Sequence, residues 1–268
     1  MNLRPPGYEP GELTGLLHAA SVTLIIHPRR PGGKGCFPRP AVYNPFTRRP
    51  FSVYRVDPDK QTFSIVYLAR GVFTQGLRNK QPGQTLSVVG PLGNWFTPER
   101  NPNLTHLMVA GGVGAPPLYF LAERLSQLRI ADCGLRIAAI NGARTRDLLV
   151  GIEEFDSLGI DVQYTTDDGT HGMKGIVTDA LIPMLESASE SVHVYTCGPT
   201  AMMRAVADIC AARSVPCQVS LETVMPCGLG VCMGCVVKIR RASGGDGFQY
   251  LRSCYEGPVF EATQVIWE

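Results

Sequence analysis

The sequence predicts a multi-domain α and β protein with three regions: a small antiparallel β-barrel, a doubly wound parallel α/β domain and a small cysteine-bearing module at the C-terminal end. Three observations predict it. Short runs rich in β-branched and aromatic residues fill the first hundred positions, strands and helices then alternate in a βαβ rhythm, and four of the nine cysteines fall within the last 42 residues. At 268 residues the length alone suggests about two domains. The changes of rhythm divide the chain into 1–100, 101–214 and 215–268.

In the first region the strand-like runs are Ser21–Ile26, Phe51–Val56, Thr62–Tyr67 and Thr85–Val89, separated by turn residues such as Asp57–Asp59 and Gln81–Gly83. Short strands with tight turns suit a small antiparallel barrel. Residues 28–47 are rich in Pro and Gly and show no clean alternation. A polar linker, Thr97–Asn103, follows. Strands are then expected at Leu104–Ala110, Leu135–Ile140, Asp161–Thr166 and Val192–Thr196, and helices at Leu118–Leu128, Asp147–Phe155, Ile176–Leu185 and Ala201–Ala212. Elements of these lengths in alternation imply parallel βαβ units, in which ligands bind beyond the carboxyl ends of the strands. From about Val215 the chain returns to short strands and Gly-rich loops, with a hairpin expected from Val236–Arg240, Ser243–Gly247 and Phe248–Arg252.

Composition excludes several classes. Apolar residues at 44% and charged residues at 18% support a buried core and not a disordered chain. A net charge of +2, evenly spread, leaves no nucleic-acid footprint. No run of about 20 apolar residues is free of Gly, Pro and charge, so no membrane span is expected. The odd cysteine count, and a start carrying Arg4, Glu9 and three prolines in place of a secretory leader, point to the reducing cytoplasm.

The late cysteines, Cys227, Cys232, Cys235 and Cys254, read C-x4-C-x2-C-x18-C. This matches the plant-type [2Fe-2S] spacing, in which a distant fourth thiolate completes the site. Gly228, Gly230 and Gly234 allow the loop to curl with its N–H groups toward sulfur. A structural zinc site is the alternative, although it usually pairs two C-x2-4-C knuckles and only one is present. Cys133, Cys210 and Cys217 read as small buried hydrophobes. Gly111, Gly112 and Gly114 join the Leu104–Ala110 strand to a helix that opens on Pro116 and Pro117, where a pyrophosphate could meet backbone N–H groups. A plain strand-to-helix turn is equally compatible with that run. Asn141–Arg144 and Cys197–Pro199 follow two further strand ends on the same edge. In Arg48–Val53 a guanidinium and the Ser52 hydroxyl flank a bend fixed by Pro50, a surface feature unless a diphosphate lies beside it.

Barrel, nucleotide sheet and cluster loop, in that order, resemble the ferredoxin-reductase-like flavoproteins, and the C-terminal cluster narrows the likeness to the electron-transfer subunits of NAD-linked (B-type) dihydroorotate dehydrogenase. The resemblance rests on Arg49–Ser52, Gly111–Pro117, Asp168–Gly175, Cys197–Pro199, Cys227–Cys235 and Cys254–Val259. It implies three cofactors: FAD in 1–100, NAD in 101–214 and a [2Fe-2S] cluster on the four late cysteines in 215–268. FAD would contact Arg49, Pro50, Phe51 and Ser52, the strand Val66, Tyr67 and Leu68, and the loop of Gly71, Phe73 and Thr74. NAD would contact Gly111, Gly112, Gly114, Cys197, Gly198 and Pro199, with Cys197 near the reacting ring. The family usually has Arg where Leu68 stands and Gly where Phe73 stands; Arg70 lies two residues beyond Leu68.

The resemblance further implies an FMN-containing catalytic partner subunit in a heterotetramer with two copies of each chain. The pair would carry electrons from dihydroorotate to NAD+ in pyrimidine biosynthesis. A reductase subunit of a hydrogenase or of a ferredoxin:NADP oxidoreductase complex would use the same cofactors, and a zinc-stabilised binding module is the alternative outside redox chemistry.

Overall fold

The computed structural model describes His27, Pro28 and residues 49–267, apart from 85, 100, 102, 133–134, 189–190 and 242–246. Its centre is a seven-stranded sheet in the order β13-β10-β9-β5-β6-β7-β8. The strands are β5 (Leu104–Gly111), β6 (Arg136–Ala143), β7 (Asp161–Thr166), β8 (Met173–Lys174), β9 (Ser191–Cys197), β10 (Cys217–Ser220) and β13 (Val259–Glu261). All pairings are parallel except that of β13 with β10. Helices α2 (Ala115–Asp132), α4 (Val177–Ser187) and α5 (Thr200–Ala212) cover its two faces.

Alternation along β5 explains the layering. Met108 and Ala110 face α2, whose Leu118, Leu121 and Leu125 fill one core, while Leu107 and Val109 face Leu181 of α4 and Val206 of α5 in a second. Both faces of the central strands are thus buried, and they read as continuous apolar runs.

The doubly wound sheet follows the sequence expectation, with three differences. The helix expected over Asp147–Phe155 is broken: a 3-10 turn at Arg146–Leu148 precedes a short α3 (Ile152–Ser157). Gly151 between them has φ of 77°, and the Asn141 side chain donates to the Val150 carbonyl at 2.8 Å, which holds the break extended. The tail contributes β10 and β13 to the main sheet, so the cysteine-bearing stretch stands out between two of its strands. It carries the expected hairpin, β11 (Val236–Arg240) with β12 (Phe248–Arg252).

The third difference is in the N-terminal region, whose described residues form two short antiparallel pairs: β1 (His27–Pro28) with β4 (Leu86–Ser87), and β2 (Arg55–Asp57) with β3 (Thr62–Ser64). A helix, α1 (Val72–Arg78), lies between β3 and β4. The expected strand at 21–26 and nearly all of 28–47 lie outside the described residues. This region is not independent of the sheet. The Tyr54 ring packs at a tilt against Tyr119 of α2, 4.7 Å between ring centroids, and Arg55 bonds both Tyr119 and Glu123. Val53, Tyr54, Phe73 and Phe96 join the same apolar cluster as α2. No described helix is long and apolar enough to cross a membrane.

Candidate functional site: a nucleotide cleft and a thiol cluster sharing one wall

The carboxyl ends of the parallel strands and the N-terminal region enclose a cleft of about 990 Å³. One wall is Pro50, Phe51 and Ser52 with Val66, Tyr67 and Leu68. The floor is Gly111, Gly112 and Gly114 with Cys197, Gly198 and Pro199. Residues far apart in sequence therefore converge, and thirteen of the sixteen expected organic-cofactor positions line the cavity. Thr74 is among them; its hydroxyl accepts the N–H groups of Arg70 and Gly71 at 3.0 Å.

Arg49, Gly71 and Phe73 do not line it. Phe73 is buried behind the wall, 6.0 Å from the Phe51 ring, where it packs the core. Arg70 does line the cleft, two residues beyond Leu68, and brings a guanidinium to this wall. The floor needs its glycines: a Cβ on Gly114 would collide with the Cys197 carbonyl, and Gly112 has φ of 54°. Burial pushes the Cys197 thiol up to about 12, partly offset by the Ser220 hydroxyl, so at neutral pH it is an uncharged sulfur at the cleft floor.

Sequence reasoning missed several lining residues. Ser220, Glu222, Thr223, Met225 and Pro258 come from the tail, and Asp147, Thr165 and Asp167 from the ends of β6 and β7. The rule that ligands bind beyond parallel strand ends could have found the second group. The first depends on β10 joining the sheet. Two buried hydroxyl oxygens in the lining, of Thr165 and Thr223, have no hydrogen-bond partner. A cleft with orphaned polar atoms, glycine backbone and an aromatic wall fits a flavin and a dinucleotide.

The four late cysteines are free thiols gathered beside this cleft. Cys227 interacts with Cys232, and Cys254 with Cys235 and, more weakly, with Cys227. Among the described residues no group of three or more His, Cys, Asp or Glu side chains is arranged to hold a single metal ion. Four thiols in this C-x4-C-x2-C-x18-C spacing fit a [2Fe-2S] cluster. Backbone N–H groups point at sulfur as expected: Leu229 donates to Cys227 at 3.4 Å and Gly230 to Cys254 at 3.2 Å. Burial acts to raise the Cys227 thiol, but the N–H groups of Leu229, Cys232 and Val231 with the Cys232 thiol outweigh it and hold it down at about 6. Burial, then the neighbouring Cys235 thiol, pushes Cys254 the other way.

Arg252 braces the loop. It donates to the Gly230 carbonyl at 2.6 Å, lies 4.6 Å from the centre of the Tyr255 ring and pairs with Glu256. Met225 belongs to both sites, since it lines the cleft and packs on Cys235 and Cys254. Thiol cluster and cleft therefore meet at Met225. The whole is clamped to the N-terminal region by Asn94. Its amide donates to the carbonyls of Glu256 at 2.9 Å and Val259 at 2.7 Å, and its oxygen accepts the Val259 N–H at 2.8 Å.

A parallel nucleotide sheet, a second module closing over its strand ends and a thiol cluster at the same cleft define an oxidoreductase of the ferredoxin-reductase-like class. The chain belongs to the family of dihydroorotate dehydrogenase B electron transfer subunits: it is 39% identical to that of Bacillus mycoides over 224 residues, 83% of this chain and 81% of the relative. The subunit of Geobacillus kaustophilus is 37% identical over 245 residues, 91% of this chain and 89% of the relative. Residues 222–266 match the iron-sulfur cluster binding domain of dihydroorotate dehydrogenase B, and residues 108–208 match the oxidoreductase NAD-binding domain. Among solved structures, the chain resembles one from an NADH-dependent reduced ferredoxin-NADP oxidoreductase described for flavin-based electron bifurcation, with a TM-score of 0.74 and 31% identity over 92% of this chain and 79% of that one. Ferredoxin-NADP+ reductase from Plasmodium falciparum shares the fold at a TM-score of 0.55 and 15% identity, over 76% of this chain and 82% of that one.

Proposed function

We propose that this chain carries electrons from dihydroorotate, oxidised on an FMN-holding partner subunit, to NAD+ in pyrimidine biosynthesis. The observation that carries the reading is the shared residue: Met225 lines a cleft fit for a flavin and a dinucleotide and packs on Cys235 and Cys254, two of four thiols fit for a [2Fe-2S] cluster. When bound, the cluster supplies one-electron transfer, NAD+ takes a hydride, and FAD does both and so belongs between them.

The chain's own residues hold and shield these groups. Cys227 and Cys232 would ligate one iron, Cys235 and Cys254 the other, with Gly230 and Leu229 N–H groups stabilising the charge on sulfur. Residues 1–100 would take FAD as a barrel, Ser52 meeting the ring while Phe51 and Tyr67 exclude water from it. Arg49 and Arg70 would serve the diphosphate, with Gly71 and Thr74 in the same loop. Residues 101–214 would take NAD on Gly111, Gly112 and Gly114, with the neutral Cys197 beside the nicotinamide and Gly198 and Pro199 next to it. Residues 215–268 would carry the cluster. Val231 and Met233, on either side of Cys232 in the chain, are exposed as Cys232 is, and Val224 and Tyr255 are exposed too; this part of the tail is the face proposed for the catalytic partner. Two copies of each chain would make the heterotetramer.

The test is anaerobic co-purification with the catalytic partner, followed by dihydroorotate-dependent reduction of NAD+. Activity should vanish when this chain is left out; undiminished activity without it overturns the reading. Likeness to the NADH-dependent ferredoxin-NADP oxidoreductase keeps a second reading, with ferredoxin as the exchange partner, which the same preparation separates by offering reduced ferredoxin in place of dihydroorotate.

A further inference from the structure

The wall and the floor of the cleft come from different parts of the chain. Both strips of the wall hang on one hydrogen-bonded ladder: Pro50–Ser52 lead toward β2, Val66–Leu68 follow β3, and Arg55 of β2 stands opposite Ser64 of β3. The Tyr54 N–H adds a bond to the Ser64 carbonyl at 2.8 Å. The floor loop, Gly111–Gly114, runs directly into α2. The contact between this ladder and α2 therefore bears on where the wall stands over the floor.

That contact is a closed polar group. Tyr119 lies near the start of α2 and Glu123 one turn further, so both share a face of the helix. Arg55 Nε donates to Glu123 Oε1 at 2.9 Å and its Nη2 to the Tyr119 hydroxyl, which donates in turn to the same Oε1 at 3.0 Å. Energy does not explain the arrangement. The Arg55 side chain is 45% exposed, and an ion pair so placed contributes little to stability. Geometry does explain it: the planar guanidinium offers two parallel donors to two acceptors that already hold each other, so the ladder meets the helix in one orientation. Tyr119 is fully buried, with the Tyr54 and Phe155 rings at 4.7 and 5.3 Å between centroids, and makes a firm anchor.

We propose that Arg55, acting through Tyr119 and Glu123, is a positioning residue for hydride transfer: this latch fixes the spacing of the cleft wall over the nucleotide floor, and so the approach of the nicotinamide to the flavin. The inference rests on the reading of wall and floor as flavin and dinucleotide sites given above. The step so positioned takes a hydride from reduced FAD, leaving it oxidised, and adds it to NAD+ to give NADH. Its rate is steep in the approach of the two rings, whereas binding of the nucleotide to the floor is not. None of the three side chains lines the cleft, so the latch acts at a distance from the reacting groups.

The full chain loaded with FAD is assayed for NADH oxidation with ferricyanide as acceptor: each NADH yields NAD+, a proton and two electrons, which two ferricyanide ions take up. Hydrogen–deuterium exchange of the same preparations reads the wall without turnover. Arg55→Ala should lower kcat by about tenfold and leave the KM for NADH within about twofold of the wild type. Exchange at residues 50–56 and 62–68 should quicken, while the urea midpoint for unfolding stays that of the wild type. Tyr119→Phe, which keeps the packed ring and removes the hydroxyl, should lower kcat in the same sense, and the double variant should be no slower than Arg55→Ala, because both changes open one latch. Unchanged kcat and exchange in Arg55→Ala, or additive losses in the double variant, overturn the latch and leave the cofactor sites standing. A lowered urea midpoint with kcat unchanged makes Arg55 structural only and also overturns it. A wild-type chain that passes no electrons from NADH to ferricyanide overturns the latch together with the flavin and nucleotide reading.

Discussion

Cys254 is reached only after eighteen intervening residues from Cys235, yet it meets that thiol and accepts the Gly230 N–H. Replacing it with Ser should remove one iron ligand, so that iron content and cluster absorbance are lost while ADP-ribose still binds. Retention of the full iron content would count against Cys254 as a ligand. Gly230 has φ of 76°, and an added Cβ would lie 3.0 Å from the Tyr255 ring. Gly230→Ala should therefore strain the loop by about 1–3 kcal/mol, read as faster iron release to a chelator than from the wild type. The four late cysteines stand out in the sequence because thiol spacing is itself the chemical requirement of a cluster. Phe73 was not: chain position puts it in a phosphate-facing loop, but its ring is worth more in the core beside Phe51 than in water.

Among the elements, the long parallel strands and their helices were legible from apolar periodicity. The short ones were not, because four residues of β10 and three of β13 carry too little pattern to separate from a loop. The clamp that seats them was equally hidden. Asn94 and Gln218 are polar residues of no special spacing, but Gln218 accepts the Thr97 N–H at 2.9 Å and donates to Glu261 at 2.8 Å, so it ties the linker to β10 and β13. Asn94→Ala removes three bonds, two to Val259 of β13 and one to Glu256 before it, and leaves carbonyls of the tail underused. The expected loss is roughly 2 kcal/mol, measured as a lower urea midpoint for unfolding. A midpoint equal to that of the wild type would show that water replaces the clamp without cost.

Across the whole molecule, acid is the expected weakness of the sheet. His106 on β5 and His193 on β9 sit opposite each other and stack with Tyr195, at centroid distances of 5.8 and 4.6 Å. Burial, then the neighbouring His193, lowers His106 to about 4, and burial lowers His193 despite nearby Glu261 and Glu99. Both are held neutral in the folded chain, whereas the unfolded chain takes up their protons near the ordinary value of about 6.5. Stability from the neutral stack is complete above that value and is lost as pH falls toward about 4, amounting to roughly 3 kcal/mol for His106. Urea midpoints should fall over this window, and the fall should be smaller in His106→Gln. A midpoint independent of pH between these limits would refute the assignment.

The antiparallel pairing of β10 with β13 sets Ser220 directly opposite Val259. The entire cysteine-bearing excursion thus leaves and re-enters the sheet at one point, like a loop drawn from a single stitch. Its ends are held together by strands that need no metal, so the entropy of closing a long loop is met by the sheet before any iron arrives. Iron release is therefore expected to loosen the excursion and leave the sheet that carries it in place.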